Sequence, residues 1–294
     1  METSATPQTA VRAAFSALID YAGLFPPAGL NMADAVAEYA AARGGAHAWM
    51  LGRFIVPSSR LRELLDALPA AEPAFPLSVI CDRGFSAPLL AGIRAKETRV
   101  RIEALEIPAE PQSIDARADA LCAARLGDLP AYVEWPRGEA WMQDLDSVMR
   151  QLHDSGLGAK LRCGGVTQEH FPQAEDIAAF IASAAASNVP YKATAGLHHP
   201  IRHFNAESGL LMHGFMNVLF ASVLACQGAS KEELTAYLLR EDAASVRFDD
   251  DCFQWGDRRV DCAAIQSARL QAFVSYGSCS FDEPVEDLQA LGVL

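Results

Sequence analysis

Short apolar runs alternate along most of this chain with longer stretches in which apolar residues recur every third or fourth position. The runs are Trp49–Val56, Pro76–Cys81, Arg101–Ile107, Ala131–Trp135, Ala159–Cys163 and 189–195. They read as strands, because a brief continuous apolar run bounded by Pro or Gly suits a strand covered on both faces. Between them, Arg60–Leu68, Ser86–Lys96, Ile114–Leu126, Trp141–Ser155 and Ala174–Ser187 carry helical spacing. Upstream, Val11, Phe15, Leu18 and Ile19 predict a helix over 8–20, Tyr21–Pro27 reads as a short extended piece, and Asn31 caps a helix over Met32–Arg43. Strand, turn and helix thus repeat with short connections, which argues for a parallel sheet flanked by helices. Seven repeats before residue 200 predict one domain over 1–294, an α/β fold of the (β/α)8 TIM-barrel type. No GxGxxG follows the first strand, which counts against a dinucleotide fold.

After Pro200 the rhythm changes. Gly209–Ala225 predicts a long apolar helix whose exposed face would suit a homo-oligomer contact. Lys231–Arg240 reads as a helix, Phe248–Val260 as a small hairpin and Ala263–Ala272 as a helix. Phe273–Tyr276 is the best eighth strand, and Glu283–Leu291 a closing helix. A helical and hairpin insertion over about 201–262 is therefore expected before the last strand.

The 294 residues, 51% of them hydrophobic, suffice for a sizeable core. A formal charge of −13 disfavours nucleic acid and anionic membrane surfaces as partners. Met1–Ala10 lacks a charged start followed by an apolar core, so no leader is expected, and Phe215–Cys226 is too short to span a bilayer. Together these predict a cytoplasmic protein. The seven cysteines form no CxxC pair and read as small core residues, although Cys163 and Cys279 fall at the barrel mouth.

In a parallel barrel the reactive groups sit at the C-terminal ends of the strands. Asp82, Glu103, Glu106, Glu134, Lys160, Arg162, Lys192, Thr194, His198 and His199 are expected there, with Ser278 and Ser280 beyond the last strand. Lysine inside a buried strand is rare, because an unpaired ammonium is costly to bury. Lys160 and Lys192 hold similar places on successive strands, so mutual repulsion should lower the pKa of one of them. A neutral lysine attacks carbonyls and forms an imine. The alternative is that each lysine only pairs with Glu106 or Glu134. Arg162 and Thr194, with His198, His199, Ser278 and Ser280, suit an anionic group. His198 and His199 with a carboxylate are also a metal-ligating combination, though no HExxH spacing is present.

The segments Lys192–Pro200 (KATAGLHHP), Trp49–Pro57 (WMLGRFIVP) and Gly277–Pro284 (GSCSFDEP) resemble those of an uncharacterised bacterial family of β/α-barrel proteins, a resemblance that covers most of the chain and implies the fold. Locally, Lys192-Ala-Thr-Ala-Gly is similar to the Lys-x-Ser/Thr-x-Gly strand of class I aldolases of the deoxyribose-phosphate aldolase type. Lys160-Leu-Arg-Cys-Gly-Gly resembles that family's second lysine strand, and Gly277-Ser-Cys-Ser its phosphate turn. That likeness implies Lys192 as the Schiff-base residue and Lys160 as its tuner. The order of the two strands is reversed here, and the histidines and the insertion are foreign to the aldolases, so the two lysine roles can be exchanged.

The resulting expectation is a lyase of aldolase-like kind, acting without a cofactor on an anionic carbonyl substrate. Lys192 and Lys160 would carry the imine chemistry, and Glu134 or Glu106 would move protons. Two readings stay open beside it: a metal-dependent lyase, isomerase or hydrolase built on His198, His199 and a carboxylate with a divalent metal, and a non-catalytic barrel that binds an anionic metabolite.

Overall fold

A computed structural model describes residues 9–69, 73–138, 141–165, 170–206 and 209–294; residues 1–8, over which no leader was expected, lie outside them. Eight parallel strands close into a barrel. They are β1 (Ile19–Tyr21), β2 (Leu51–Pro57), β3 (Phe75–Ile80), β4 (Val100–Pro108), β5 (Ala131–Glu134), β6 (Gly158–Arg162), β7 (Tyr191–Thr194) and the last strand of the chain, Phe273–Ser278. The last strand lies between β7 and β1, so the two ends of the chain close the ring.

Helices cover the barrel: α1 (Thr9–Phe15), α2 (Met32–Gly44), α3 (Leu61–Ala67), α4 (Ala87–Lys96), α5 (Ile114–Ala123), α6 (Trp141–Asp154) and α7 (Ala174–Ala186). Asn31 caps α2 as expected, its side-chain oxygen accepting the Asp34 N–H at 3.0 Å. The helix expected over 8–20 stops at Phe15. Ala17 takes a positive φ of 47°, and Ile19–Tyr21 leaves as β1 because it finds ladder partners on both sides. Alternation along each strand sends one set of side chains into the barrel and the other under the helices. Aromatic residues mark the contact of strands with helices: Tyr21, Phe54 and Phe75 pack with Tyr39 of α2 on one flank, and Trp135 and Tyr191 with Trp141 of α6 and Phe180 of α7 on another.

Between β7 and the last strand lies the insertion. Two short strands, β8 (His203–Asn205) and β9 (Leu210–Met212), pair antiparallel, and α8 (Phe215–Cys226) and α9 (Lys231–Leu238) follow. Next come β10 (Val246–Phe248), β11 (Cys252–Trp255) and β12 (Arg258–Asp261), an antiparallel sheet where a hairpin was expected. After α10 (Cys262–Gln271) the chain enters the last strand, β13, and ends in α11 (Asp282–Ala290).

The long helix expected from Gly209 begins only at Phe215, since Leu210–Met212 is taken up by the ladder with β8. Phe215 to Leu224 is wholly buried within the chain, so α8 leaves no apolar face for a second copy. Each large side chain buried there contributes about 1.5–3 kcal/mol. Its one amide, Asn217, is satisfied by donating to the Tyr237 and Arg240 carbonyls and accepting the Arg202 N–H. Among the described residues no helix is long and apolar enough to cross a membrane.

Candidate functional site

The inward set is polar where most barrels are aliphatic. Asp20, Arg53, Ser78, Glu106, Tyr132, Lys160, Lys192 and Ser275 meet inside the barrel, each from the inward face of its strand. Lys192 is fully buried, and its Nζ lies 2.7 Å from Asp20 Oδ2, 2.5 Å from Glu106 Oε1 and 2.9 Å from Ser78 Oγ. Lys160 stands beside it in the β6–β7 register, and its Nζ lies 2.7 Å from Glu106 Oε2 and 2.9 Å from Glu134 Oε2. Glu106 therefore stands between the two ammonium groups, one oxygen to each. Arg162 closes the series, its Nε and Nη2 reaching Glu134 Oε1 at 2.9 and 2.8 Å. At the other end Asp20 accepts the Arg53 N–H at 2.6 Å and the Ser275 hydroxyl at 2.8 Å, and Arg53 leads on to Glu103 at 3.3 Å.

Positive and negative groups thus alternate from Arg53 through Asp20, Lys192, Glu106, Lys160 and Glu134 to Arg162. The backbone is shaped around this series. A Cβ on Gly52 would sit 2.3 Å from Asp20 Oδ1, so only glycine admits the carboxylate there. At the mouth, Gly196 (φ 71°) and Gly164 pack back to back: a Cβ on Gly196 would lie 2.8 Å from the Gly164 Cα. The glycines of the two lysine motifs serve this contact between the β6 and β7 loops.

These neighbours overturn the expected depression of a lysine pKa. Burial alone would lower Lys192, but Asp20 and Glu106 outweigh it and hold the ammonium above its ordinary value. Lys160 is likewise raised, burial being overcome by Glu106 and Glu134. Glu106 falls below the usual carboxylate range because the two lysines exceed its own burial, and Glu134 falls for the same reason beside Lys160 and Arg162. Repulsion between the lysines is cancelled by the carboxylate between them.

Access sorts the series. Lys192 is sealed, Lys160 is 8% exposed, and the Arg162 side chain is 46% exposed at the mouth, with half-buried Thr194 opposite it in the strand register. Glu103 lies in the first half of β4, tied to Arg53 and Arg101, and not at the mouth. Asp82 joins two mouth loops, accepting from the Ser58 hydroxyl (2.6 Å), the Ser59 N–H (3.1 Å) and hydroxyl (2.5 Å) and the Gly84 N–H (3.1 Å). These bonds hold its carboxyl below the ordinary value although burial opposes them. A depressed folded-state pKa means that Asp82 stabilises the fold above about pH 4 and ceases to do so as acid protonates it. Asp82→Asn should lower stability by about 1–3 kcal/mol at pH 7, with the gap to the parent chain narrowing as pH falls below the ordinary carboxylate range in parallel melts.

Ser278 and Ser280 are used locally: the Ser278 hydroxyl accepts the Ser280 N–H at 3.4 Å, and Ser280 Oγ accepts the Glu283 N–H at 3.2 Å. His198 and His199 meet α11 instead of Glu106 or Glu134. His198 Nδ1 lies 3.2 Å from Glu283 Oε2, and His199 Nδ1 lies 2.6 Å from Asp287 Oδ2. His198 is pushed up to about 9, because contacts with Cys279 and Glu283 exceed the effect of burial. His213 is buried, donating from Nε2 to the Pro172 carbonyl. Among the described residues no group of three or more His, Cys, Asp or Glu is disposed to hold a metal ion.

Asp20, Arg53, Ser78, Tyr132 and Ser275 belong to the interior without having been singled out in the sequence. Their common signal is a lone polar residue in the middle of an apolar strand, as in Leu-Ile-Asp-Tyr and Phe-Val-Ser-Tyr. No protein-family model matches the chain, and no curated protein matches it.

Proposed function

We propose that this chain is a small-molecule enzyme that acts on an anionic carbonyl compound at the barrel mouth through an imine, in the manner of an aldolase or related lyase. The observation that carries the reading is Lys160: an amine between two carboxylates at 2.7 and 2.9 Å, on the open side of the barrel, next to an exposed guanidinium. Nucleophile, base and anion holder thus stand within reach of one another. Its exposure favours Lys160 as the amine over the sealed Lys192, which reverses the roles suggested by the aldolase likeness.

The charged resting state fits this chemistry if the substrate itself releases the amine. A carboxylate or phosphate that engages Arg162 draws the guanidinium away from Glu134. With that cation withdrawn, Glu134 binds a proton more readily and takes one from Lys160. The free amine adds to the carbonyl carbon, the carbinolamine loses water, and the iminium accepts the electron pair of the adjacent C–C or C–H bond. Thr194 lines the same opening. The test is borohydride reduction of the protein in the presence of 2-oxo acids and phosphorylated aldehydes, followed by peptide mass spectrometry. The expected result is a reduced adduct on Lys160, and no adduct at that position in folded Lys160→Arg. An adduct on Lys192 would reassign the amine, and no adduct across the panel would remove the imine reading.

A further inference from the structure

The layer of side chains above the buried charges is divided into two arcs. Two positions on from each inward polar residue, the same strand turns one more residue toward the barrel axis. On β5, β6 and β7 these are Glu134, Arg162 and Thr194, and across the ring they are Ile80 of β3, Ile55 of β2 and Ala22, which follows β1. In the strand order β6 and β2 stand opposite each other, four strands apart by either route, so Arg162 faces Ile55 across the mouth. Ala22, Ile80 and Thr194 are half-buried, and Ile55 is buried behind them. Gly277 of β13 holds open the space where the aliphatic arc meets Thr194. A Cβ there would lie 3.0 Å from Ile55 Cδ1, 3.8 Å from Thr194 Oγ1 and 3.9 Å from Ala22 Cβ.

The polar arc also carries a measure of length. One carboxylate serves both cations, with Glu134 Oε2 at 2.9 Å from Lys160 Nζ and Oε1 at 2.8 Å from Arg162 Nη2. Amine and guanidinium are therefore spaced to the two oxygens of a single carboxylate. A substrate carboxylate that takes the place of Glu134 on Arg162 brings to Nζ the carbon bonded directly to it. A carbonyl two carbons further along lies beyond the amine.

We propose that the substrate is a 2-oxo acid with an unbranched aliphatic tail, its carboxylate on Arg162, its carbonyl carbon at Lys160 and its tail across the axis against Ile55, Ile80 and Ala22. Gly277 leaves the room that this tail fills. The inference rests on the mouth site proposed above and narrows its substrate from anionic carbonyl compounds in general.

The test is calorimetric titration with 2-oxopropanoate, 2-oxobutanoate, 2-oxopentanoate and 2-oxohexanoate, and with 4-oxopentanoate, an isomer of the third. The 2-oxo isomer is expected to bind about tenfold more tightly than the 4-oxo isomer. Affinity should rise about threefold with each added methylene. Gly277→Ala should remove that rise beyond 2-oxobutanoate while leaving 2-oxopropanoate binding intact, and Ile80→Ser should flatten it. Thermal melts certify that each variant is folded, and where one is not, the other decides. Equal affinity for the two isomers, no binding of any 2-oxo acid, or a chain-length dependence unmoved in folded variants overturns the proposal. Borohydride added to the same samples separates it from the imine reading. Titrations as expected without an adduct on Lys160 uphold the substrate class and remove the imine, whereas adducts formed only with phosphorylated aldehydes keep the imine and overturn the substrate class.

Discussion

Replacing Glu106 with alanine is expected to destabilise the protein by about 3–5 kcal/mol at pH 7, the range found when one partner of a buried ion pair is removed. Glu106 is 1% exposed and, among the described residues, is the one acceptor shared by both lysines; without it Lys160 and Lys192 face each other across the β6–β7 register. Ser78 also loses the acceptor of its hydroxyl. The pH dependence identifies the cause. In the variant the buried lysines bind protons less readily folded than unfolded, so the unfolded chain holds more protons and stability rises with pH. The deficit should therefore shrink in denaturant melts run from pH 7 toward pH 10, where the unfolded lysines begin to titrate. A deficit that stays constant would mean that lost packing, and not charge, is responsible.

Lys192→Met should give a loss of similar size with the opposite pH response. Asp20 and Glu106, both buried, would lose the ammonium between them. Glu106 then binds a proton more readily than in the parent chain, and the deficit narrows as pH falls from 7 toward 5. Melts of the two variants at three pH values separate the effects, since no change in packing alone produces slopes of opposite sign. The same Lys192→Met protein, if folded, should still give the borohydride adduct on Lys160. Loss of that adduct with the fold intact would mean that Lys160 reacts only with the Lys192 ammonium in place.

The architecture was legible because it rests on a repeated local pattern. Each barrel strand but the first is a short apolar run closed by Pro, Gly or a polar turn, and the helices between carry their own period. Asp20 escaped notice because Leu18 and Ile19 also fit helical spacing, and a three-residue strand exists only through its neighbours β2 and β13. The apolar run into α8 was extended back to Gly209 because hydrophobicity does not separate a strand pair from a helix turn. Lys160, Lys192, Glu106, Glu134 and Arg162 were all picked out as chemistry-bearing residues. What one sequence could not supply was which carboxylate stands between which cations, and that arrangement reversed the expected direction of the lysine pKa shift. The meeting of His198 and His199 with Glu283 and Asp287 was equally invisible, since it joins segments 85 and 88 residues apart.

The closure of the ring by the two ends of the chain bears on how the protein is made. Asp20 precedes by 255 positions the residue whose hydroxyl it accepts, Ser275. Its ammonium partner belongs to the seventh strand. Until β13 is made, β1 lacks one of its two ladder neighbours, and a half-made barrel would bury charges whose partners do not yet exist. Assembly strand by strand is thereby disfavoured, and the interior can seal only once β13 is available. Unmatched charges thus tie closure of the barrel to the arrival of β13, and not to that of any earlier repeat.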